Sequence, residues 1–203
     1  MKNLHNWLTL AHTPKLGPIR LQKILEHYET PEAILKESIS TLKKIGLHQE
    51  SIQWLQAPNQ KLIAHALKWQ QQAQQHIITQ QCPQYPARLL EITDPPVLLY
   101  IKGSLENIAL PQLAMVGSRN PTYAGRELAY QYAITLVKAG LVITSGLAIG
   151  IDAASHRGAL KAKGKTIAIL GSGLECIYPK SHQQLAAEIA AQQGTLISEF
   201  PLF

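Results

Sequence analysis

The chain has 203 residues, a formal net charge of +6 and a pI near 9.3, with 46% apolar and 16% charged residues. That length buries a proper core in one large domain or two small ones, and the two cysteines, Cys82 and Cys176, lie far apart without a CxxC or Cys/His cluster, so neither a disulfide framework nor a zinc site is supported. No signal-peptide core opens the chain and no uncharged apolar run of about 18 residues occurs, which predicts a cytoplasmic protein with no membrane partner.

The positive charge leans only weakly toward an acidic partner. Residues 1–80 hold nine Lys/Arg against five Asp/Glu, residues 81–203 hold ten against eight, and no run of basic residues appears. If phosphates are bound, a few placed groups must do it.

Residues 1–80 read as a small helical domain without a convincing strand. LGPIRLQKILEHYETPEAIL, ISTLKKIGLHQESIQWL and NQKLIAHALKWQQQAQQHI repeat apolar residues near every 3.6 positions, as in Leu21, Ile24, Leu25 and Tyr28. Pro14, Pro18, Pro31 and Pro58 punctuate them, and Thr30 and Asn59 suit N-caps. Short Gly-containing turns at Gly17 and Gly46 admit two readings. They are helix-hairpin-helix units whose turn amides meet a DNA backbone, or a helical bundle with glycines at its C-caps. The glutamine-dense stretch from Trp69 to Gln84 reads as a solvated helix end leading into a linker.

Residues 81–203 read as a second domain. Asp94-Pro95-Pro96 forces an extended or turn conformation, and VLLYIKG is a strand. From Leu113 the pattern alternates: strand LAMVGS, helix AGRELAYQYAITLVKAG, strand LVITSG, helix IDAASHRGALKAKG, strand TIAILGSG, helix SHQQLAAEIAAQQG, strand TLISEF. Apolar strands joined by amphipathic helices predict an α/β fold, a parallel doubly wound Rossmann-like sheet covered on both faces. Shortly after the last strand the chain stops, so the sheet is expected to be incomplete at that end.

Three strands end in Gly- or Ser-bearing loops: Gly117-Ser118-Arg119, Ser145 to Gly150, and Gly171-Ser172-Gly173. In a doubly wound sheet such loops gather at the carboxyl edge, where ligands bind. Glycine lets the backbone approach an anion, helix N-termini offer amides, Ser118 and Ser145 add hydroxyls and Arg119 a bidentate guanidinium. The expected phosphate-binding residues are Gly117, Ser118, Arg119, Ser145, Gly146, Gly150, Gly171 and Gly173. Lys180, after Tyr178-Pro179, is expected to project from the same edge.

The ligand is not expected to be a cofactor. The first loop, GSRNPTYAG, lacks GxGxxG, the second strand closes on Thr144-Ser145 instead of an acidic residue, and GxxxxGK[ST] is absent. Asp152 and His156 stand one turn apart, either as an acid/base or metal pair, or as a carboxylate complementing the helix dipole above a packed imidazole. No third group completes a mechanism, so no catalytic residue and no metal are assigned.

With these residues in place, the chain resembles the DprA/Smf family (DNA-processing protein A). The matching pieces are YPARLLEITDPPVLLYIKG, MVGSRNPTYAGRELA, VITSGLAIGIDAASHRGAL, TIAILGSGLECIYPKSHQQLAAEIA and GTLISEFP. The helical part is similar to the SAM-like, helix-hairpin-helix-type domain that precedes the Rossmann-like domain in that family. The resemblance implies a protein that is not an enzyme. It would bind single-stranded DNA during natural transformation, protect it and help load the RecA recombinase. Its Gly-Ser/Thr-Arg turn would hold phosphates through Gly117, Ser118 and Arg119, with Lys180 as a second basic contact. The family continues beyond Ser-Glu-Phe-Pro into a half that carries much of the dimer and recombinase surface, so a homodimer is expected to form mainly there. The competing reading is an enzyme, a nucleotide phosphoribohydrolase of the lysine-decarboxylase-like Rossmann group, whose PGGxGTxxE stretch does not occur here.

Overall fold

The computed structural model describes residues 2–203 and divides into two compact units: residues up to Gln72 with Thr79–Leu98, and Ala73–Ile78 with Leu99–Phe203. The first holds helices α1 (Lys2–Ala11), α2 (Pro18–Tyr28), α3 (Pro31–Leu35), α4 (Ile39–Lys44), α5 (Gln49–Gln56) and α6 (Gln60–Trp69). Their apolar stripes close a core that includes Trp7, Leu10, Leu21, Ile24, Ile34, Leu42, Leu47 and Ile52. Thr30 and Asn59 cap α3 and α6, accepting from Ala33 N at 3.3 Å and from Lys61 N and Leu62 N at 3.1 and 3.2 Å. In the same unit, the Tyr85 hydroxyl donates to Pro96 O at 2.6 Å and Gln80 to Pro95 O at 3.0 Å, which fastens the proline turn.

The two glycine turns differ. Gly46, at φ 81°, follows α4 in a Schellman arrangement: its N–H donates to Lys43 O at 2.9 Å and that of Leu47 to Leu42 O at 3.0 Å. Leu47 and Leu42 are both buried, the apolar pair that often accompanies the motif, and the Arg20 guanidinium donates to the Gly46 carbonyl. The Gly46 and Leu47 amides are therefore engaged within the helix cap. Gly17 is the N-cap of α2, with Pro18 in the first turn, so it is not a C-cap.

The second unit is an α/β Rossmann-like fold. Its sheet, in the order β1-β2-β6-β5-β4-β3, comprises β1 (Gln75–Thr79), β2 (Leu98–Gly103), β3 (Gln112–Ala114), β4 (Val142–Ser145), β5 (Thr166–Leu170) and β6 (Thr195–Ser198). The helices are α7 (Tyr123–Lys138), α8 (Ile151–Lys161) and α9 (Gln183–Ala191). Three expectations are corrected. The glutamine-dense stretch contains β1, almost wholly buried, because the β-branched residues of His76-Ile77-Ile78-Thr79 find a partner in β2 that local pattern cannot reveal. The sheet is mixed: β3–β4, β4–β5 and β5–β6 are parallel, but β2 runs antiparallel to β6.

The third correction concerns the sheet faces. The chain steps from β3 through β6 in one direction, so right-handed crossovers place α7–α9 on a single face. There Ile143 packs with Ala133 of α7 and Ala159 of α8. On the opposite face Asn107 donates to Gln193 O at 2.6 Å and to the Thr195 hydroxyl at 3.0 Å, while Ile169 of central β5 remains 44% exposed.

Candidate nucleic-acid interface

Because β3, β4 and β5 are parallel, the loops that follow them emerge at one carboxyl edge. The first leaves the sheet after Met115, whose N–H donates to Thr144 O at 2.9 Å. Gly117, Ser118, Arg119 and Asn120 are exposed. The Ser118 Oγ accepts from Asn120 N at 3.0 Å, and Thr122 caps α7 by accepting from Gly125 N at 3.1 Å. The α7 N-terminus thus opens beside Arg119, with a polar turn ahead of it and no carboxylate in its first turn.

The second loop supports the first. Gly150 sits at φ 89°, and a Cβ there would collide with Ser118 O and lie 2.9 Å from Arg119 Cα. Ile151 N donates to Ser118 O at 3.1 Å, and a Cβ on Gly117 would meet Ile151 Cγ1 at 2.7 Å. The other candidate donors of this loop turn inward. Ser145 is buried and its hydroxyl donates to Met115 O at 2.6 Å. Asp152 Oδ2 accepts from Gly146 N at 3.1 Å and Ala148 N at 3.2 Å. A carboxylate and a bound carbonyl therefore occupy the α8 N-terminus.

In the third loop Gly171 is exposed with open space around it, whereas Gly173 is pressed against the backbone of Pro201 and Leu202. Beyond it come Tyr178, the cis peptide to Pro179, and exposed Lys180. The imidazole of His182, a residue that sequence reasoning missed, donates from Nδ1 to Leu147 O at 2.8 Å and so ties this segment to the second loop. Only its place in YPKSH, just past the basic residue, hinted at it. The edge also carries exposed carboxylates, Glu175 and Glu199.

Asp152 and His156 do not form an acid/base pair. The Thr166 hydroxyl spends its one hydrogen on Ile143 O at 2.7 Å, so it accepts from His156 Nδ1, also at 2.7 Å. That fixes the tautomer and leaves a wholly buried, neutral ring; burial, with the charge of His182 adding to it, pulls its pKa down to about 3. Among the described residues no cluster of three or more His, Cys, Asp or Glu stands where it could hold a metal, and no helix is long and apolar enough to cross a membrane.

An α/β Rossmann-like unit with an open Gly-Ser-Arg turn at its carboxyl edge, in one chain with a small helical unit, is the class of protein that fold and site define. The family model for DNA recombination-mediator protein A matches residues 76–203, and that for the SMF/DprA SAM domain matches residues 1–68. The chain belongs to the DprA/Smf family. It is 40% identical over 161 residues to Protein Smf of Escherichia coli, covering 79% of this chain and 43% of that protein. To Protein Smf of Synechocystis it is 35% identical over 202 residues, 97% of this chain and 50% of that one. The chain thus spans about half the length of the curated relatives it matches. The X-ray structure of DNA processing protein A from Streptococcus pneumoniae superposes with a TM-score of 0.76 and 29% identity over 96% of this chain and 67% of that one. The Helicobacter pylori protein of the same name, described for its single-stranded DNA binding mode, gives 0.53 and 31% over 62% of this chain and 56% of that one.

Proposed function

We propose that the chain binds single-stranded DNA at the carboxyl edge of its sheet, without catalysis, and that it protects incoming strands and helps load RecA during natural transformation. The observation that carries the reading is the Ser118-Arg119 turn. It is exposed, buttressed from below by Gly150 and Ile151, and opens beside a helix N-terminus free of carboxylates. Arg119 supplies the bidentate donor for a phosphate, Ser118 a hydroxyl, Gly117 close backbone approach, and Lys180 a second positive contact. Gly171 offers an unobstructed approach at the neighbouring loop. Ser145, Gly146, Gly150 and Gly173 serve by holding the loops together. The single-strand binding described for the Helicobacter pylori relative supports the same ligand class here.

The test is a titration of single- and double-stranded DNA at several salt concentrations, wild type against Arg119→Glu. Log affinity of the wild type for single strands should fall with log salt at about 0.7 per neutralised phosphate. Arg119→Glu should weaken binding at least about tenfold at low salt. Equal binding by the variant would remove Arg119 from the site. Release of free base from nucleoside monophosphates, lost in Arg119→Ala, would establish an enzyme instead.

A further inference from the structure

The phosphate contacts leave two conspicuous side chains unexplained. Tyr123 is 83% exposed and Tyr178 is 72% exposed. A ring so exposed gives the fold almost none of the burial energy that normally places a tyrosine, as it does for Tyr85 and Tyr100 in the interior. Both sit at the edge already described, and each stands beside one of its two cations. Tyr123 opens α7 four residues after Arg119, and Tyr178 precedes Lys180 by two. Tyr132, at 56% the remaining strongly exposed tyrosine, lies well along α7, more than two turns from its start.

Both positions are held by the fold. The Thr122 cap fixes Tyr123 as the first residue of α7, and the His182 bond to Leu147 O anchors the segment after Tyr178. The loops that carry them are tied together: Ile151 N donates to Ser118 O, and His182 donates to Leu147 O.

We infer that Tyr123 and Tyr178 are base-stacking platforms, each receiving an unpaired base of the nucleotide whose phosphate the adjacent cation holds. This rests on the DNA-binding reading and deepens it. Every base has a π-face, so such platforms read no sequence. They take bases only from a strand not already stacked into a duplex, which supplies a single-strand preference that phosphate contacts alone cannot give.

The experiment compares thymidine oligonucleotides with abasic strands of equal length and phosphate number, by fluorescence anisotropy. The proteins are the full chain and its Tyr123→Ala, Tyr178→Ala, Tyr123→Phe, Tyr178→Phe and Tyr132→Ala variants. The wild type should bind the thymidine strand about tenfold more tightly than the abasic one, and each alanine variant at position 123 or 178 should lose about tenfold on thymidine alone. The phenylalanine variants and Tyr132→Ala should match the wild type, and the salt slope should be common to all, because phosphate contacts are untouched. Equal wild-type affinity for both strands, or alanine variants that weaken both alike, would overturn the stacking assignment and leave the phosphate site standing. A wild type that binds neither strand would overturn the single-strand reading and this inference with it.

Discussion

Acidification should destabilise the second unit through His156, whose buried ring resists protonation. In the unfolded chain the ring takes up a proton near pH 6.5, but in the fold only near pH 3, because it is wholly buried against Thr166 and close to His182. Folding thus favours the neutral ring, and this contribution is complete above pH 6.5 and lost as pH falls toward 3. At pH 5 the gap from 6.5 is about 1.5 units, which at about 1.4 kcal/mol per unit removes about 2 kcal/mol of stability. His12, lowered to about 4 by burial in the helical unit, responds in the same sense, so wild type alone is ambiguous. His156→Asn keeps a nitrogen that can donate to Thr166 and cannot titrate. Urea denaturation at pH 7.5 and pH 5 should show the variant less stable at pH 7.5, from lost packing, yet losing about 2 kcal/mol less than wild type between the two. Equal acid losses in both proteins would refute the assignment of His156 as a buried neutral group.

Gly150→Ala should damage binding without touching a DNA-facing side chain. Its Cβ would strike Ser118 O at a positive φ, costing about 1–3 kcal/mol of stability and moving Arg119; single-strand affinity equal to wild type would show that this apposition does not position Arg119. For Asp152 the two substitutions should separate. Asp152→Asn keeps an oxygen for the Gly146 and Ala148 amides and should cost under about 1 kcal/mol in thermal denaturation, whereas Asp152→Ala orphans both and should cost about 2–4 kcal/mol.

From Gln112 onward the order of strands and helices was legible in the sequence, because the strands are short runs bounded by turn residues, and α7, α8 and α9 begin after Thr122, Gly150 and the Pro179 turn. The caps at Thr30 and Asn59 were legible for the same local reason: a side-chain oxygen reaches amides two or three residues on. The Asp152–His156 pair was half legible. Its dipole role follows from position in the first turn, but the partner that fixes the imidazole, Thr166, comes from another element.

Apart from β1, local pattern determined which segments form elements, and it marked Gly117, Ser118 and Arg119 as a candidate anion-binding turn. Tertiary structure alone decided how β1 pairs, that β2 runs antiparallel, and which donors of the loops remain open. Ser145 and Gly146 look like Ser118 and Gly117 in sequence, yet Met115 O and Asp152 Oδ2 consume their hydrogens while the first loop stays free. The physical reason is that a donor's availability depends on what faces it. What faces Ser145 is a loop thirty residues away in the chain, and what faces Gly146 is a carboxylate six residues on that only the folded turn brings back to it.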